Sequence, residues 1–225
     1  MQLVIGNKNY SSWSMRPWVL LKQAGIAFDE RQIRFDAFAP DSRFKTELAR
    51  ISPAGRVPVL IDGDLVVWDS LAIAEYLAER FPDKPLWPRD TKARARARSV
   101  CAEMHSGFDA LRSHLPMNIE AALPAVGERV LAEQPAVRDD VARLFGMWSA
   151  LLDAHGGPLL FGEFGIADAF FAPVVMRFRT YAIEVPRLAK DYCAAVEALP
   201  AVREWIEAAQ KERKFVAEDE PYTRK

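Results

Sequence analysis

The chain has 225 residues, half of them apolar and 27% charged, which is ordinary globular composition with room for one large domain or two small ones. Thirty basic residues against thirty-one acidic ones leave a net charge of -1, so nothing global points to nucleic acid or an anionic membrane surface. No apolar run reaches the ~20 residues of a membrane span, and M-Q-L-V-I-G lacks the basic flank and long apolar core of a signal peptide. A cytoplasmic protein is expected. Cys101 and Cys193 lie in no C-x-x-C or metal spacing, and His105, His114 and His155 form no ligand cluster. Two reduced core thiols and no metal follow from that.

In chain order, residues 2–5 form a short apolar strand, and residues 18–24 read as a helix closed by Gly25. Residues 28–35 alternate as a half-buried strand does, and residues 42–49 form a weak helix broken before Pro53. Residues 57–61 and 65–68 flank Asp62-Gly63, a hairpin signal, and residues 70–80 form an amphipathic helix. The order β-α-β-α-β-β-α implies a mixed sheet covered by helices. Residues 81–90 hold three prolines and read as a linker. Beyond it strand signals vanish. Val137 to Leu152 carry a helical apolar stripe, with Asp139 and Asp140 placed in its first turn and Gly156-Gly157 at its end. Residues 166–181 are apolar nearly all round, as in a buried central helix, and residues 200–215 supply a last amphipathic helix with Trp205. The chain therefore divides into an α/β domain (1–80), a linker (81–90) and an all-helical domain (91–225), with a ligand expected in the cleft between them.

Three stretches carry chemistry. In Asn7-Lys-Asn-Tyr-Ser-Ser-Trp-Ser-Met-Arg-Pro17, Pro17 fits near a helix start, which makes Ser14 the expected N-cap. Ser11 and Ser12 then fall in the strand-to-helix loop, where backbone N–H groups and the helix dipole favour an anion. There is no Gly-rich loop or phosphate-reading lysine motif, no nearby histidine to activate a nucleophilic serine, and no G-x-S-x-G. A thiolate is the remaining simple candidate; lowering a thiol by about two units corresponds to roughly 2.7 kcal/mol. A multiply capped helix with no ligand is the competing reading. In Ser52-Pro-Ala-Gly-Arg-Val-Pro-Val-Leu60, Pro58 stands where a strand begins; a cis Val57-Pro58 bond turns the Val57 backbone toward an extended peptide, and a plain strand-entry proline is the alternative. In Trp68-Asp-Ser-Leu, Ser70 reads as an N-cap, and Asp69 with Ser70 suits an α-amino-acid group unless the pair only caps its helix.

Taken together these motifs resemble the cytosolic glutathione transferase family over essentially the whole chain, a thioredoxin-like domain followed by a helical one. Tyr10-Ser11-Ser12-x-Ser14-x-Arg16 is similar to the serine-type classes, especially zeta and tau. The resemblance implies a glutathione S-transferase with glutathione as co-substrate, no covalently bound cofactor, a small apolar electrophile, a role in detoxification and a homodimer. By the same resemblance Ser11 holds the sulfur, with Ser12 and Ser14 as alternates. Ser12, Trp13, Val57, Pro58, Asp69 and Ser70 line the glutathione site. Arg43 meets the glycyl end, with Lys45 as its competitor. Trp13, Met104 and Phe108 are the expected electrophile wall, the last two read otherwise as core. Trp13 stands where zeta enzymes carry a cysteine linked to maleylacetoacetate isomerisation, and Gly165 replaces the usual Ser or Thr of the capping box ended by Asp168. Rival readings are a zeta-type cis-trans isomerase and a non-catalytic regulatory protein on the same fold.

Overall fold

The computed structural model describes residues 1–222. Strands β1 (Gln2–Ile5), β2 (Asp29–Gln32), β3 (Val59–Asp62) and β4 (Leu65–Trp68) form one sheet in the order β2-β1-β3-β4. β1 runs parallel to β2 and antiparallel to β3, and β3 to β4 is a hairpin closed at Asp62 and Leu65. Gly63 sits in that turn at φ +63°, a conformation glycine adopts without a Cβ penalty. Helices α1 (Ser12–Gln23), α2 (Arg43–Ala49) and α3 (Ser70–Arg80) complete the expected βαβαββα order. Seven helices follow: α4 (Thr91–Ser106), α5 (Asp109–His114), α6 (Pro124–Glu133), α7 (Pro135–His155), α8 (Ile166–Tyr181), α9 (Arg187–Ala198) and α10 (Pro200–Glu212). A single 3₁₀ turn spans Ala217–Asp219.

Helix α1 starts six residues before the expected 18, so Pro17 lies inside it and Ser11, not Ser14, is its N-cap. The reason is burial. Residues 14 to 21 are all buried because α1 packs against β1, α3, α8 and α10 at once. That gain outweighs the hydrogen bond Pro17 removes. At this seam the Trp18 and Trp205 rings meet edge to face at 5.2 Å, and Trp205 Nε1 donates to the Lys8 carbonyl at 3.0 Å.

The loop between β1 and α1 is held by side chains from both halves. The Glu212 carboxylate accepts from the amides of Lys8 (2.8 Å) and Asn9 (3.3 Å). Asn7 Oδ1 accepts from the Phe35 amide at 2.7 Å, and Asn9 reaches Asn118 and the Glu120 amide. A serine loop tied down this way presents its hydroxyls in fixed positions.

In the helical half, α7 begins at Pro135, so Asp139 and Asp140 fall beyond its first turn. Asp140 instead accepts from the Leu111 amide at 2.9 Å, steadying α5. Gly156 ends α7 at φ +77°. At the start of α8, Asp168 Oδ2 accepts from the Gly165 amide at 3.0 Å and Oδ1 from the Leu160 amide at 3.2 Å. Burial pushes the Asp168 carboxyl up to about 6 against the pull of those amides. Cys101 and Cys193 are both free and buried, and burial pushes the Cys193 thiol up to about 12. No helix among the described residues is long and apolar enough to cross a membrane.

Candidate functional site

Two cavities meet at the start of α1. The first, about 340 Å³, is lined by Ser11, Ser12 and Trp13, by Phe35, Phe38, Phe44 and Lys45 around α2, and by Arg112, Met117 and Arg177 from the helical half. The second, about 490 Å³, is lined by Trp13, Val57, Pro58, Trp68, Asp69, Ser70 and His105. Trp13, Arg56 and Val57 border both, so one extended molecule can run from Asp69 to Ser11 across Val57. The Val57–Pro58 peptide is cis, as is Gly157–Pro158.

The structure separates the three serines. Ser14 is fully buried behind Ser11; its Oγ accepts from the Gly6 amide at 3.1 Å and from the Ser11 hydroxyl at 2.7 Å. Ser11 makes no side-chain cap to α1, so its hydroxyl is spent on no backbone amide. Ser12 accepts from Arg177 Nη2 at 3.3 Å. Only Ser11 and Ser12 of the three reach the first cavity.

Behind them lies buried positive charge. Arg177 is 4% exposed and donates to the carbonyls of Leu115 and Pro173. Arg16, 3% exposed, donates to Ser70 Oγ at 3.3 Å and to the Met104 carbonyl at 3.5 Å, and stacks between Trp13 and Phe170. Neither forms an ion pair among the described residues. Burial, then repulsion from Arg177 and Arg112, lowers Arg16 to about 9; burial, then Arg112, lowers Arg177 to about 10. Both stay charged at neutral pH. Two buried guanidiniums that form no ion pair, Asp69 acting on Arg16 only at longer range, make the start of α1 a site that favours an anion.

At the other cavity, Asp69 caps α3, accepting from the amides of Leu71 (2.8 Å) and Ala72 (3.4 Å). The expected cap Ser70 is the first helical residue instead, its hydroxyl turned to Arg16. Asp69 holds φ +76°, a strained value for a non-glycine residue. Asp69 Oδ2 also meets His105 Nε2 at 3.1 Å, a partner that the sequence reading missed.

Three expected contacts are corrected. Arg43 is exposed and lines neither cavity, whereas Lys45 lines the first and bonds the Gly55 carbonyl at 3.1 Å. Met104 and Phe108 are core residues and line neither cavity. They do not share a helix, because α4 stops at Ser106 and Phe108 sits at φ +59°. Arg56, Arg112 and Arg177 were not foreseen. Arginine in the largely apolar run 166–181, which also holds Asp168 and Arg179, was the available signal for Arg177.

Residues 10–80 match the family model for the glutathione S-transferase N-terminal domain, and residues 91–208 that for the C-terminal domain. The chain is 30% identical to glutathione S-transferase 1 of Dianthus caryophyllus over 78% of this chain and 76% of that one. It is 32% identical to glutathione S-transferase Z1 of Arabidopsis thaliana over 71% and 72% respectively. A glutathione transferase homologue from Burkholderia, solved with bound glutathione, superposes with a TM-score of 0.68 at 25% identity, covering 95% of this chain and 98% of that one.

Proposed function

The chain belongs to the glutathione S-transferase family, and from that premise we propose that it is a cytoplasmic, homodimeric enzyme in which Ser11 holds the glutathione sulfur as a thiolate. Several features support the reading. The Ser11 hydroxyl borders the cavity at the N-terminus of α1, where the helix dipole and two buried guanidiniums favour negative charge. Rotation of two hydroxyls completes the arrangement: Ser14 accepts from the Gly6 amide and turns its proton to Ser11, which turns its own to the sulfur. Asp69 suits the γ-glutamyl ammonium, Val57 borders the middle of the tripeptide, and Lys45 with Arg56 suits the glycyl carboxylate. The buried positive charge behind Ser11 and Ser12, held in no ion pair among the described residues, is the observation that carries the proposal.

The protein then contributes thiolate stabilisation and alignment of two reactants. The wall opposite the sulfur refines the second substrate. Trp13 and Met117 offer apolar contact, while Arg112 and Arg177 offer positive charge, so the electrophile is a small apolar body carrying an anionic group. The same basic wall favours a second reading, a cis-trans isomerase acting on an unsaturated acid, and an assay with a cis-dienone acid separates the two.

The test is Ser11→Ala. A hydrogen bond to a charged group contributes about 1.5–3 kcal/mol, so the kinetic pKa of conjugation should rise by about one to two units. Turnover at neutral pH should fall about tenfold or more, with the KM for glutathione within about twofold. An unchanged pH–rate profile would reject Ser11, and the same shift in Ser12→Ala instead would move the role to Ser12.

A further inference from the structure

One carboxylate bordering this chemistry comes from the segment after α10. After α10 the backbone folds back over the first cavity as a strap. Val216 is buried in the apolar cluster of Val4, Phe35 and Phe44, and the Tyr10 hydroxyl bonds the Lys214 carbonyl at 2.8 Å and the Glu220 carboxylate. Tyr222 anchors the end on the His114 carbonyl at 2.8 Å. Between these anchors Asp219 lines the cavity that Ser11 and Ser12 line, and among the described residues it is the only acidic side chain to do so. Its Oδ2 is buried without a hydrogen-bond donor among the described residues. A carboxylate placed among Lys45, Arg56, Arg112 and Arg177 would ordinarily be expected to pair with one of them. No such ion pair is found among the described residues, so the carboxyl is held unpaired at the border of the first cavity, with its Oδ2 tucked behind the cavity surface.

Accepting the thiolate site at Ser11, on which this step rests, we propose that Asp219 donates the proton that completes addition of glutathione to an activated carbon–carbon double bond. The thiolate sulfur forms a bond to the β carbon. The π pair moves to the α carbon as an enolate. The Asp219 carboxyl proton passes to that α carbon, and the carboxylate regains from water the proton that the glutathione thiol released. No oxidant or second cofactor is needed. Such a donor has to hold its proton close to the working pH. Burial, then the neighbouring Glu218 and Glu220, raises Asp219 to about 6.

The experiment compares two reactions of the full chain. Addition to a phenylbutenone needs a proton at carbon, whereas substitution on a chlorodinitrobenzene expels chloride and needs none. Asp219→Asn should cut the ratio of kcat for addition to kcat for substitution about 10²-fold, because any change in thiolate charge acts on both reactions alike. Asp219→Glu should recover part of the addition rate. In the wild type the ratio of addition to substitution should fall as pH rises through about 6, and in Asp219→Asn it should be flat. If both reactions fall alike in Asp219→Asn, or the ratio keeps its pH dependence, the residue only holds the strap and the inference is overturned. If the wild type turns over neither substrate, the thiolate reading itself fails and takes this one with it.

Discussion

Arg177 shows how one side chain links fold and chemistry. Its guanidinium satisfies the carbonyls of Leu115 and Pro173 and reaches Ser12, so it braces α8, the segment after α5 and the start of α1 together. Removing it subtracts a buried charge near the proposed sulfur site and leaves the Leu115 carbonyl without that donor. Arg177→Met should therefore raise the kinetic pKa of the bound thiol by about one unit, a charge effect of about 1.4 kcal/mol. The stability cost of the lost donor, about 1–3 kcal/mol, is offset in part by relief of repulsion with Arg16 and Arg112. The pH profile of kcat/KM and a urea titration read the two effects separately, and a thiol pKa unmoved by the substitution would mean that Arg177 acts only as a brace.

At the scale of elements, tight contacts decide more than propensity does. Gly127 on α6 faces the end of α8 so closely that an added Cβ would stand 2.0 Å from the Tyr181 carbonyl oxygen. Helix propensity alone gives alanine an advantage of about 1 kcal/mol there. The clash is with backbone and cannot turn aside, so Gly127→Ala should destabilise by about 1–3 kcal/mol in chemical denaturation. A more stable variant would show that α6 shifts freely. The same contrast between local and long-range information separates what was legible in the sequence. The βαβαββα order, the Gly63 turn and the Gly165–Asp168 cap are local and were readable from period and turn residues. The true start of α1 was not, because Pro17 argues for a late start and only packing against α8 and α10 overrides it. Within the site, Ser11, Val57 and Asp69 stood in recognisable local patterns. Arg112, His105 and Asp219 did not, since each reaches the cavities through the packing of the helical half or its tail, which no local spacing encodes.

For the whole molecule, the proposed homodimer has a candidate surface. Between α4 and α7 lies an open groove of about 470 Å³, lined by Val100, Met147, Ala150 and Leu151 and by the charged Asp90, Lys92, Arg96 and Arg143, net basic. The β3–β4 hairpin of the same chain carries exposed Asp64 beside Leu65, which is 45% exposed. An acidic tip with an apolar neighbour complements a net basic groove with apolar lining residues. Two copies can exchange this contact reciprocally about a two-fold axis, which doubles every interaction made. Trp68, at 44% exposed, lies on the same edge strand and lines the second cavity, so a partner seated there would also screen the Asp69 end from water. Ala150→Lys and Leu65→Lys touch neither cavity, and each should convert a dimer to a monomer in sedimentation equilibrium by burying a positive charge beside the basic lining. The KM for glutathione should rise in the same variants while the kinetic thiol pKa stays put, because Ser11 and its arginines lie within one chain. A wild-type chain that sediments as a monomer would remove the dimer, and dimers surviving both substitutions would place the interface elsewhere.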